Sequence, residues 1–210
     1  MNVMWQIAIG AATSLAVGLL LTPLLRRLAL GLNITDRPDA RLKPHEKPIA
    51  YLGGVGFYLA WLAGLAVIQL LAPDAIDSRG WLLAGVGAVV LLVGLADDIR
   101  NVSPNLRLLV EAAAAAMLFL GGVRYLGVPL APAGWPVLVI GLLVNLVLVI
   151  GSCNSTNLLD GLDGLCGGVS AIVLLGLAAL AGLAIAASRA GPGLFENVNE
   201  NSFRQLQLVI

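Results

Sequence analysis

Two carboxylates stand side by side at Asp97 and Asp98, directly after the apolar run LLVGLA. Acidic side chains at a membrane edge are costly, and neighbouring ones repel more strongly as the dielectric falls. A divalent cation or a cationic group offsets that repulsion, and oxygen-only donors favour Mg2+ over zinc or copper. Adjacent side chains on a helix diverge by about 100°, so the pair need not share one ion. One carboxylate can hold metal or substrate while the other orients a nucleophile. The competing reading is a solvated helix end, but acid at a helix C-terminus opposes the macrodipole.

A second constellation is Asn154-x-x-Asn157-x-x-Asp160-Gly161-x-Asp163-Gly164. Polar residues three apart lie near one another on a helix or at a helix-to-loop junction. Asn154 and Asn157 offer neutral oxygens and amide donors for phosphate or base. The two Asp-Gly pairs let the chain turn and let backbone approach a ligand. A third cluster runs from Asp36-Arg37-Pro38-Asp39 through Lys43-Pro44-His45-Glu46-Lys47-Pro48 to Gly53-Gly54. Its basic side chains can gather the phosphates of an anionic substrate. His45 can hydrogen-bond phosphate or cap the loop. Positive-inside topology with attraction to anionic lipid explains the same charges without a substrate.

The elements that must carry these clusters are apolar. Of 210 residues, 59% are hydrophobic and 11% charged, with zero net charge and a mean hydropathy of +0.95. A soluble domain of this size cannot hide so much apolar surface, and disorder needs the opposite composition. No basic excess exists for nucleic acid, so no nucleic-acid partner is expected. Cys153 and Cys166 are too few for a disulfide framework or a structural zinc site, and one His excludes a multi-histidine centre. A polytopic membrane protein remains.

Uncharged stretches predict an all-α transmembrane bundle with spans near 3–25, 51–72, 81–97, 106–123, 136–153 and 168–187. The fourth is the least clean, because Arg107 and Glu111 lie in its first turns. Lys and Arg concentrate in the first and third loops, which places those loops in the cytoplasm and the N-terminus outside. All three clusters then fall on the cytoplasmic side. The expected organisation is a six-helix membrane core over 1–187, an extracytoplasmic loop over 188–205, and the start of a seventh helix at 206–210. Five residues cannot span a bilayer, so the sequence reads as an N-terminal piece.

Together these motifs resemble the polyprenyl-phosphate N-acetylhexosamine-1-phosphate transferase family. The resemblance covers about residues 1–187: DRPDARLKPHEKP with GG, then GLADD with NLRLLVEAAAAAML, then NSTNLLDGLDGLCGG. It implies a multi-pass enzyme of the bacterial inner membrane. Such an enzyme moves a sugar-1-phosphate, here GlcNAc-1-phosphate, from a UDP-N-acetylhexosamine to undecaprenyl phosphate and releases UMP. Mg2+ is the implied cofactor, and a homodimer the candidate assembly. Asp97 and Asp98 match the family's aspartate pair, Asn157 with Asp98 its metal ligands, and Asp160 and Asp163 its nucleotide-sugar site. His45 and Lys47 match the loop before Gly-Gly, and Arg107 stands where the family usually carries Lys. The alternatives are the transferase that accepts UDP-MurNAc-pentapeptide and, in another class, a membrane carrier. A carrier places its acids near the midplane, whereas these lie at span ends. A later Gly-Asp-x-Gly-Ser aspartate and a His-rich loop of the family are missing from the 210 residues, so the piece alone is expected to be inactive.

Overall fold

In the computed structural model, residues 3–36, 49–124, 134–160 and 164–189 are described. The order is α1 (Val3–Gly31), β1 (Thr35–Asp36), β2 (Ile49–Ala50), α2 (Gly53–Leu71), α3 (Ser78–Arg100), α4 (Pro104–Leu120), α5 (Trp135–Leu159) and α6 (Leu165–Arg189). Each of the six expected spans corresponds to one helix. Five of them, all but α4, are long and apolar enough to cross a membrane. The fourth has 17 residues, about 26 Å at 1.5 Å per residue.

Most helix ends lie beyond the expected spans, whereas α2 (expected 51–72) and the C-terminal end of α4 (expected at 123) fall short of them. The first runs to Gly31 instead of 25, the third starts at Ser78 and continues to Arg100, and the fifth continues to Leu159. Charge marks where hydrocarbon ends, whereas backbone hydrogen bonding continues into the polar layer. The reading stopped at the first; the helices stop at the second. Asp97, Asp98, Asn154 and Asn157 therefore all ride on helices, in the last turns of α3 and α5. Tyr51 is corrected the other way: it lies in the turn before α2, outside the span.

The surface is that of a chain solvated by lipid. Leu70 is 81% exposed, Phe57 75% and Leu158 82%, and no large side chain among the described residues is fully buried. Water would not support this distribution, whereas lipid is as apolar as leucine.

The chain forms two compact units, residues 1–121 and 122–210. In the first, α1 and α2 pack through small residues four apart. Gly10, Ser14, Gly18 and Thr22 on α1 meet Gly64, Ala60 and Gly56 on α2. A Cβ built on Gly64 would lie 2.8 Å from the Gly10 carbonyl oxygen and would also strike the Ser14 hydroxyl. Only small residues permit that approach. Tyr58 on α2 then donates to the Ala84 carbonyl oxygen on α3 at 2.6 Å. Against α3 packs α4, with Ala114, Ala115, Leu118 and Phe119 buried.

The α3–α4 link is short and locally encoded. Asn101 ends α3 in the left-handed region at φ 50°. Ser103 then caps α4, its hydroxyl accepting from the Leu106 N–H at 3.4 Å, and Pro104 opens the helix where its missing N–H costs nothing. At the other end of α3, the Asp77 carboxylate accepts from the N–H groups of Arg79 and Gly80 at 3.0 and 3.1 Å. In the second unit α5 leads to α6 through a turn containing Gly164 at φ 76°. That angle suits glycine and few other residues.

Candidate active site

The tight α3–α4 link decides what Asp97 meets. It turns α4 back along α3, so the last turn of α3 faces the first turn of α4. The Asp97 carboxylate accepts from Arg107 Nη1 at 2.9 Å, with both side chains about three-quarters buried. One turn further along α4, Glu111 stands 3.9 Å from Arg107 Nε and is only 6% exposed. Arg107 thus bridges two acids across the helix pair. The charges that made the fourth span look irregular are an internal arrangement of the first unit. A guanidinium has five donors in a fixed fork, so one such group can address more than one oxygen partner at once.

Adjacent positions on a helix diverge by about 100°, and Asp98, the next residue, is exposed. Its charge acts on the Tyr51 phenol, which donates a hydrogen bond to Asp36. Burial first, then the Asp36 hydrogen bond, then the charges of Asp36 and Asp98 push the Tyr51 phenol up to about 12 from its usual 10. At neutral pH it is a neutral donor beside two carboxylates. Asp36 reaches it because β1 and β2 pair antiparallel, Thr35 opposite Ala50 and Asp36 opposite Ile49. Neither Tyr51 nor Asp36 was singled out as a site residue from sequence. Asp36 was visible within the first-loop motif; Tyr51 read as the start of a span.

The second unit carries the other cluster at the C-terminal end of α5. Asn154 is half-buried and donates through Nδ2 to the Ile150 carbonyl oxygen at 2.9 Å. Thr156 satisfies its hydroxyl on Ser152 and Cys153 carbonyl oxygens at 2.8 and 2.9 Å. Asn157 is exposed one turn after Asn154, and Asp160, also exposed, ends the helix with its N–H on the Thr156 carbonyl oxygen at 3.1 Å. His45, Lys47 and Asp163 lie outside the described residues.

Both clusters occupy helix C-termini, where the macrodipole adds negative potential to that of the carboxylates. Such ends attract cations, and an anionic ligand reaches them only with a cation or through Arg107. Asp98 and Asn157, each in its own unit, carry hard oxygen atoms of the kind Mg2+ takes. Among the described residues no group of three or more His, Cys, Asp or Glu side chains is arranged to hold a metal ion.

Long apolar helices with exposed apolar side chains and with acid, amide and arginine side chains at their ends define a membrane protein. The match of residues 80–203 to the family model for glycosyl transferase family 4 places it further: the chain belongs to that family. It is 28% identical over 161 residues to the "Probable undecaprenyl-phosphate N-acetylglucosaminyl 1-phosphate transferase" of Bacillus subtilis (strain 168). That alignment covers 75% of this chain and 43% of the relative, so the chain spans less than half the length of the curated relative it matches. No solved structure matches it.

Proposed function

We propose that the full-length protein transfers a sugar-1-phosphate, GlcNAc-1-phosphate in particular, from a UDP-sugar to undecaprenyl phosphate at the cytoplasmic face of the bacterial inner membrane, releasing UMP. The observation that carries this reading is the Asp97–Arg107 pair at 2.9 Å with Asp98 beside it, at the polar end of a membrane helix pair. The family membership and the printed name of the Bacillus subtilis relative support it. So does the bilayer position: a polyprenyl chain stays in lipid while its phosphate meets a nucleotide arriving from water.

In this reading an oxygen of the lipid phosphate attacks the sugar-bearing phosphorus of the UDP-sugar. The new P–O bond forms as the bond to the UMP phosphate oxygen breaks, and UMP leaves with that electron pair. A phosphate monoester has a second pKa near 6, so most of the acceptor is already deprotonated and a general base is not required. The barrier is dominated by the gathering of negative charge, and positioned cations lower it. Arg107 holds a phosphate while Asp97 fixes its guanidinium plane. His45 and Lys47 bind the remaining phosphate oxygens. Asn154, Asp160 and Asp163 bind the nucleotide sugar. Asp98 and Asn157 are the residues that would hold Mg2+, which would supply further charge neutralisation at the pyrophosphate.

The test is UMP release by the full-length protein in membranes, given undecaprenyl phosphate and a panel of UDP-sugars. Release with UDP-GlcNAc, abolished by Asp98→Asn, is the expected result. Failure of every UDP-sugar to yield UMP overturns the reading, and release from another sugar alone corrects the donor.

A further inference from the structure

One hydroxyl outside the set discussed for catalysis is hydrogen-bonded to one acidic residue and feels the charge of a second on a separate element. Tyr51 is half-buried in the turn between β2 and α2, and its phenol donates to the Asp36 carboxylate with the charge of Asp98 close by. The backbone explains the convergence. The Tyr51 N–H donates to the Ile34 carbonyl oxygen at 3.3 Å, extending the pairing in which Asp36 stands opposite Ile49. Meanwhile α2 and α3 run antiparallel, with Gly54 against Leu91 and Gly87 against Tyr58. Following α2 back from Gly54 leads to Tyr51, and following α3 onward from Leu91 leads to Asp98, at the same end of the pair. The strand pair thus holds Asp36 by Tyr51, and the helix pair brings Asp98 to the same end of the first unit.

Carboxylates brought together repel, and the repulsion must be offset or the elements must separate. A neutral phenol offers one proton, which a carboxylate oxygen accepts, and a rigid ring that keeps the acids apart. Packing alone would be served equally by phenylalanine, so the hydroxyl is the informative part. We propose that Tyr51, braced by Asp36, is a positioning residue for Asp98, fixing where that carboxylate stands at the end of α3. The inference rests on the transfer reading above, in which Asp98 serves the reaction.

The test uses the full-length protein in membranes, with UMP release as the rate. Tyr51→Phe is expected to lower kcat about tenfold while KM for the UDP-sugar stays within about twofold. The thermal midpoint should not move, since the ring remains. Asp36→Asn keeps an oxygen that accepts from the phenol and should retain about half of kcat, whereas Asp36→Ala should fall as far as Tyr51→Phe. Combining Asp36→Ala with Tyr51→Phe should cost no more than about twofold beyond either alone, because one unit can be lost only once. Independently of activity, cysteines introduced by Tyr51→Cys and Asp98→Cys should join through a short bis-maleimide, in a protein carrying Cys153→Ala and Cys166→Ala. Wild-type kcat in Tyr51→Phe, multiplicative losses in the double variant, or failure of that cross-link each overturn the inference. An active wild type with an equally active Tyr51→Phe sinks this inference alone. A wild type that releases no UMP sinks the transfer reading as well.

Discussion

Asp97 and Asp98 are neighbours in sequence with different partners. Asp97 accepts from Arg107 at 2.9 Å, and Asp98 faces the Tyr51–Asp36 pair. Their divergence follows from helical geometry alone. It predicts that the two positions fail differently. Arg107→Lys retains the charge but loses the fork that addresses Asp97 and a phosphate together, so kcat/KM for UMP release should fall about fivefold to twentyfold. Arg107→Ala should fall by about a further tenfold, and adding Asp97→Asn to it should change little, because the partner is already gone. Multiplying losses would show that Asp97 acts without Arg107. The types of these residues made the acids and amides legible from sequence: carboxylates at the end of an apolar run are costly enough to demand a partner. Which partner was not legible. Asp97 and Arg107 are ten residues apart and meet only because Asn101 and Ser103 reverse the chain. Asp36 and Tyr51 meet through a strand pair of two residues each, too short to leave a periodic signal.

At the scale of elements, the first unit is held by shape more than by side-chain volume. The stripe Gly10, Ser14, Gly18, Thr22 repeats every four residues on α1, as Gly56, Ala60, Gly64 does on α2. Between lipid-exposed helices no hydrophobic drive favours association, and close backbone approach with its dispersion contacts must supply it. Gly64→Leu should therefore separate the pair and destabilise the protein by about 2 kcal/mol or more. Gly94→Ala on α3, where a Cβ meets nothing within 4 Å, should leave stability unchanged or slightly raised. Thermal unfolding of both variants in the same detergent measures the difference, and an equal loss at the two positions would refute the stripe as the contact. Ser103→Ala should cost about 1 kcal/mol through the lost cap and should loosen the Asp97–Arg107 pair with it. The abundance of glycine was evident from sequence; its four-residue register between two particular helices was not. Pairing depends on which helices lie side by side, which hydropathy does not encode.

For the whole molecule the decisive quantity is the number of crossings between the two polar clusters. From the end of α3 to the end of α5 the chain passes through α4 and α5. If both cross, Asp98 and Asn157 lie on the same face of the membrane. If α4 lies along the surface, they lie on opposite faces, and a UDP-sugar, too polar to cross lipid, meets only half of the proposed site. The length of α4 is at the lower end: its 17 residues span about 26 Å, against a hydrocarbon core of about 30 Å. The proposed cytoplasmic site requires α4 to cross, and the placing of its charges is compatible with that. Arg107 and Glu111 lie at its start, where they neutralise one another and Asp97, and the remainder from Ala112 to Leu120 carries no charge. A surface helix would place polar residues along its length instead. Cysteines introduced singly at the exposed positions Asn101 and Asp160, in a protein carrying Cys153→Ala and Cys166→Ala, report the parity directly. Both should resist a membrane-impermeant maleimide in intact cells and react in inside-out vesicles. Labelling of the Asp160 position from outside, with the Asn101 position protected, would lay α4 on the surface and separate the acids from the amides.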